Sequence, residues 1–222
     1  MNRHRPVKRA IKKLRASLKW RVREEPGPPD TFHIVSDPHR QEHIIYSPAG
    51  TPQNPLRPIE YLHELCHAKL AETVHPQFSG QKFKRGTPYE QIRQMALACR
   101  IANDWFADEL LFALVPNEFK AEVQEHFDLI TQALSQSPAG GLFLVLSASL
   151  IIAQAIRYLG QKVEARGDLG RVVDALLATD PAKPSVQALE ALLNRLLETY
   201  CRYQVRLVND GGVEVWEVSP GW

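Results

Sequence analysis

Histidines at positions 63 and 67, in the run His63-Glu64-Leu65-Cys66-His67, constrain this chain more than any other feature. Residues four apart on an α-helix project from the same face, one turn apart. The surroundings are helical: Pro58 suits a first turn, and Ile59, Leu62, Leu65, Cys66 and Leu70 recur at helical spacing to about Glu72. Two imidazoles so placed can reach one cation at about 2.0–2.1 Å, the length of a bond from zinc to histidine nitrogen. Glu64 is offset around the helix, where it can face a water on that cation without ligating the metal. It can then take a proton from that water, whose pKa zinc lowers, and hand it to a leaving amine. Two histidines and a water do not make a stable zinc site, so the fold must bring up a third protein ligand. The plain alternative is an amphipathic helix that happens to carry two histidines.

A second helical pattern supplies carboxylates. Thr87-Pro88-Tyr89-Glu90 reads as a capping box with proline at the first helical position, and the helix it opens runs to about Leu114, before Pro116. Within it lies Asn103-Asp104-Trp105-Phe106-Ala107-Asp108. Asp104 and Asp108 share a helix face, as two carboxylates serving one site require. Read alone, they also suit a solvated face paired with Arg100, one turn back.

With both helices in view, the chain resembles the gluzincin clan of zinc peptidases, thermolysin-like enzymes included, whose second helix carries N-E-x-x-x-D. The resemblance implies that Asp104 is the third zinc ligand and that Asp108 is the acid hydrogen-bonded to His63 or His67. The run Phe106-Ala107-Asp108-Glu109-Leu110-Leu111 is also similar to the F-A-x-E-L-L run of the ImmA/IrrE group of small bacterial peptidases. Together these likenesses cover the two helices, about a quarter of the chain. The chain departs from the pattern in two ways. Aspartate replaces glutamate, so the helices must approach more closely by about one methylene. The interval from His67 to Asp104 is also longer, consistent with an inserted loop at 74–86. Asp108, then Glu72, His75 or Glu109, stand as alternative third ligands. A metzincin's third histidine would fall on Thr73, and His75 comes two positions late.

Elsewhere the pattern is mixed but mainly helical. A basic helix over about Pro6–Arg23 is followed by a linker, Glu24-Glu25-Pro26-Gly27-Pro28-Pro29. Strands over Thr31–Ser36 and Glu42–Ser47 flank the turn Asp37-Pro38-His39-Arg40, which predicts a hairpin, and a Pro- and Asn-rich loop runs on to Arg57. Glu42–Ser47 is a candidate edge strand for an extended peptide. The basic stretch Val74–Gly86 is long enough to be a lid or substrate-contacting segment. Helices follow over Asn117–Gln136, Gly141–Arg166, Asp168–Ala178 and Ser185–Tyr203, then a hairpin of Gln204–Val208 and Val213–Val218 around Asn209-Asp210-Gly211-Gly212. These elements divide the chain into a basic arm (1–25), a zincin-like metal-binding core (30–116), a helical subdomain (117–203) and a C-terminal β-hairpin (204–222). The expected fold class is α+β: a small antiparallel sheet, the H-E-x-x-H helix, a second ligand-bearing helix and a helical C-terminal half.

Charge is unevenly distributed. Residues 1–23 hold ten of the 27 basic residues and no acid, so the remainder sets 17 basic residues against all 25 acidic ones, a balance of −8. Such an arm can meet nucleic acid or another acidic partner, or simply pack Ile11, Leu14, Leu18 and Trp20 onto its own acidic body. The apolar run Leu142–Ile156 is shorter than the roughly 20 residues of a membrane span and reads as a buried helix. No apolar stretch follows the basic start as in a signal peptide. Cys66, Cys99 and Cys201 match no disulfide framework, which predicts a reducing cytoplasm. Cys66 is expected to point to the core, and Tyr61, Tyr89 and His126 are candidate donors to a developing oxyanion. The function these features predict is a zinc-dependent metallopeptidase, a hydrolase in which a metal-bound water activated by Glu64 attacks a peptide or protein substrate. A non-catalytic zincin-fold regulatory protein, or a nucleic-acid-associated factor working through residues 1–23, are the alternatives.

Overall fold

The computed structural model describes residues 5–28, 32–48, 57–136 and 141–221. The start of the basic arm, Pro29 of the expected linker, Asp30, Thr31, most of the loop expected before Arg57, residues 137–140 and Trp222 lie outside the described residues. The fold is α+β, mainly helical, with two small sheets. It comprises two compact units, Met1–Gly80 with Phe106–Phe119, and Gln81–Trp105 with Lys120–Trp222.

In the first unit, α1 (Arg5–Ser17) buries Val7, Ala10 and Leu14 on one stripe and packs against α2 (Pro58–Thr73). Fully burying a side chain such as Val7 or Leu14 contributes about 1.5–3 kcal/mol. The helix stops at Ser17, short of the Arg23 that its basic composition suggested. Beyond it, the backbone N–H groups of Lys19 and Trp20 donate to the Glu72 carboxylate at 2.9 and 2.7 Å, which turns the chain at the end of α2.

The end of the expected basic helix and the first four residues of the expected linker, Glu24 to Gly27, form a strand, β1 (Arg21–Gly27), beside β2 (His33–Asp37) and β3 (Glu42–Pro48), while Pro29 lies outside the described residues. The expected β2–β3 hairpin is present, with the Asp37 carboxylate accepting from the backbone of His39 at 2.9 Å and Arg40 at 3.3 Å. The sheet order is β1-β3-β2, with β1 parallel to β3, so this sheet is mixed and not purely antiparallel. Polar contacts hold β1 in place: Arg23 and Arg21 approach Glu42 at 3.6 and 4.0 Å, and Glu24 accepts from Arg15 of α1 and from the Tyr61 hydroxyl of α2. Pro26 is tolerated because β1 is an edge strand. β3 is central, with both edges paired, and therefore cannot be the peptide-binding edge expected of Glu42–Ser47.

His43, fully buried on β3, joins this sheet to α2. Its Nδ1 meets Ser36 Oγ at 2.5 Å, its Nε2 meets Glu72 at 3.1 Å, and its ring stacks on Trp20. Burial holds the His43 pKa below the usual histidine value, although Glu72 opposes the shift. Burial pushes Glu72 up, but the N–H groups of Lys19 and Trp20 and the His43 ring outweigh it and hold the carboxyl below its usual value. The native state thus binds fewer protons than the unfolded chain at both groups. Stability should fall as pH drops below about 6.5 through the folded pKa of His43, and again below about 4.5 through that of Glu72. Urea unfolding in the presence of a chelator should show this loss, with the upper step reduced in His43→Gln and the remainder carried by His33, whose pKa burial also lowers.

The second unit holds the first part of α3 (Tyr89–Leu114), most of α4 (Pro116–Gln136), α5 (Leu142–Gln154), α6 (Gly167–Leu177), α7 (Val186–Leu197), β4 (Tyr203–Asp210) and β5 (Val213–Pro220). At the start of α3 the expected capping box does not close: Thr87 donates to the Lys84 carbonyl, and Glu90 pairs with Arg93 and Gln94. A π-helical segment, Ala155–Leu159, extends α5 and ends at Gly160, whose φ of 71° is a left-handed cap, so the helix does not reach Arg166. The run Leu142–Leu159 is thereby long and apolar enough to cross a membrane by length and composition, and 44% of it is buried within the protein. Ser185 caps α7 by accepting from the Ala188 N–H at 3.1 Å. Gly211 and Gly212, with φ of 63° and 88°, make the tight turn of the β4–β5 hairpin.

Both outer edges of that hairpin are engaged. The Asn194 side chain of α7 bonds the N–H and C=O of Val205, and Glu190 accepts from the Leu207 N–H. On the β5 side, Trp216 exchanges backbone hydrogen bonds with Lys82 and Lys84.

Candidate metal centre

Helix α2 presents His63, Glu64 and His67 from its central turns. Their register follows from the apolar face beneath them, where Leu62, Leu65, Cys66 and Ala68 are completely buried. The two imidazoles pack edge to face, 4.7 Å between ring centroids. His67 is buried, and its Nδ1 lies 2.7 Å from the Phe78 carbonyl oxygen. A carbonyl only accepts, so Nδ1 carries the proton and Nε2 keeps the lone pair that a metal needs. His63 is partly open, and its Nε2 stands 3.3 Å from Asp108 Oδ1. Asp108, itself buried, thus meets one of the two histidines named for it. Glu64 is 8% exposed, with a carboxylate oxygen 3.9 Å from His63 Nδ1.

Helix α3 carries the facing carboxylates. His63, His67 and Asp104 each offer a ligand atom, and these atoms lie within 4.8 Å of one another, a group that could hold a metal ion. The two residues that follow Asp104 are both buried. Trp105 is completely buried, donates from Nε1 to the Thr179 carbonyl at 3.0 Å, and has the Arg157 guanidinium over its ring. Phe106 packs edge-on to Phe78, the residue whose carbonyl engages His67.

The fallback ligands are drawn elsewhere. Glu72 serves the backbone of Lys19 and Trp20, and the His75 ring accepts from the Gln77 N–H at 3.3 Å. Asp108 and Glu109 are not in the converging group. Burial pushes the Cys66 thiol well above its usual value, with the carboxylates of Asp108 and Glu64 adding to the effect. It therefore stays a protonated, completely buried thiol, on the core side as expected. Among the oxyanion donors considered, the Tyr61 hydroxyl is engaged by Glu24 and Arg15, each at 2.7 Å, while Tyr89 and His126 are exposed.

The stretch 74–86 is not free to act as a lid along its whole length. Its first part forms a 3₁₀ turn, Pro76–Phe78, with Gln77 and Phe78 buried, and its second part is paired to β5 at Lys82 and Lys84. Phe78 is the site residue that sequence reasoning missed. Its contribution is a main-chain carbonyl, which any residue supplies.

Two histidines and a carboxylate form a donor set suited to zinc and neighboring first-row metals. A metal held by these three residues alone would keep a position open to a further ligand. The chain matches no known protein family, no curated protein and no solved structure.

Proposed function

We propose that this protein is a zinc-dependent metallopeptidase whose site is formed by His63, His67 and Asp104, with Glu64 as general base. The single observation carrying this reading is the convergence of these three donors, from two helices, beside a largely buried Glu64 that belongs to no donor group. Zinc held there supplies a Lewis acid that polarises a carbonyl and lowers the pKa of bound water to about 7. Glu64 takes the proton of the attacking water and delivers it to the amide nitrogen that leaves. The hydrogen bond from His67 to Phe78 keeps that imidazole in its ligating tautomer, and Asp108 orients His63. A zincin-like arrangement of α2 and α3 is part of this proposal, as is the likeness to gluzincins.

The test is reconstitution. Protein purified with zinc should carry one equivalent and cleave members of a broad peptide library. Chelation should abolish cleavage and lower the thermal midpoint, and zinc should restore both. At zinc a thousandfold above Kd, the linked stabilization is about 4 kcal/mol. A protein that binds zinc tightly and cleaves nothing would point instead to the non-catalytic regulatory reading. One that binds no zinc would remove both.

A further inference from the structure

We infer that the outward face of α1 is a docking surface for the phosphate backbone of double-stranded DNA. Arg5, Lys8, Arg9, Lys12 and Lys13 follow a helical i, i+3, i+4 pattern and are all exposed. Among the described residues, no acidic side chain lies within ion-pairing distance of these five. Arg15 is different: it turns inward to Glu24 and Tyr61 and serves the fold. The five charges span about 12 Å along the helix axis, on a chain whose residues beyond position 23 carry a balance of −8. A polyanion is repelled by that acidic remainder and steered to α1.

The surface fits duplex DNA better than other polyanions. Membrane insertion needs an apolar helix face, and Val7, Ala10 and Leu14 are already buried against the protein. Single-stranded nucleic acid is held by aromatic stacking, and this face has no aromatic residue. An A-form RNA duplex has a narrow major groove, whereas that of B-DNA admits a helix. The five side chains are all Lys or Arg, whose contacts to phosphate carry affinity through charge, so binding is steeply salt-dependent. This surface lies outside the metal-site reading and does not depend on it.

The test is fluorescence anisotropy of the full chain with a short mixed-sequence DNA duplex across a salt series. Five phosphate contacts give a slope of log K on log salt of about −4.5, an affinity loss of about 500-fold between about 50 and 200 mM salt. Lys8→Gln with Lys12→Gln should flatten the slope by about 1.8, while Lys8→Arg with Lys12→Arg keeps it. Both residues are exposed, and an unchanged far-UV circular dichroism spectrum shows that the variants remain folded. A slope near zero, a slope unmoved by the glutamine pair, tighter binding to single strands, or capture by phosphatidylserine vesicles without duplex binding would each overturn the inference.

Discussion

Glu64→Gln is expected to retain zinc at wild-type stoichiometry while kcat for peptide cleavage falls by about 10²–10⁴. The substitution preserves size and hydrogen-bonding capacity but removes the base, so the attacking water loses its proton acceptor and the leaving nitrogen its donor. Because Glu64 is outside the converging donor group, metal content should not change. KM should change little, since a proton-transfer group contributes chiefly in the transition state. Metal analysis and steady-state kinetics on the same preparation decide the matter. A variant that cleaves as fast as wild type sinks the mechanism, while one that loses zinc reassigns Glu64 as a ligand.

The second large effect concerns the metal itself. His67→Ala and Asp104→Ala each remove one of three donors, and both should lose zinc under conditions where wild type stays loaded. On the proposed reading Asp108 only positions His63, 3.3 Å away, so Asp108→Asn should weaken zinc affinity by about 10–100-fold and no more. Competition with a chromogenic chelator ranks the variants. Full retention in Asp104→Ala with loss in Asp108→Asn would exchange their roles, since both acids lie on α3 and Asp108 stands 3.3 Å from His63.

The site's side chains were legible because helical spacing is rigid. Positions 63 and 67, and 104 and 108, can be placed on their helix faces before any tertiary contact is known. Which carboxylate turns toward the histidines was less legible, since it depends on how Trp105 and Phe106 anchor α3. The Phe78 carbonyl left no trace, because a main-chain acceptor has no sequence identity. In the fold, Pro58, Ser185 and the Gly211-Gly212 pair announced their elements through local backbone chemistry. β1 was misread because Arg21-Val22-Arg23-Glu24-Glu25-Pro26 lacks the apolar alternation of a strand. Its stability comes from partners distant in sequence, namely Glu42, Arg15 and Tyr61. The residues after Gly160 have helix-compatible composition, and it is the left-handed backbone of Gly160 that ends the helix before them.

The side chains of Asn194 and Glu190 have a consequence for colloidal behavior. A two-stranded ribbon ordinarily offers rows of unpaired amides on which another molecule can add a strand, the first step of ordered aggregation. Here an amide and a carboxylate from α7 occupy positions on β4 that such a strand would need, and Lys82 and Lys84 close part of the opposite margin. The hairpin is thereby kept from templating growth by contacts within its own chain.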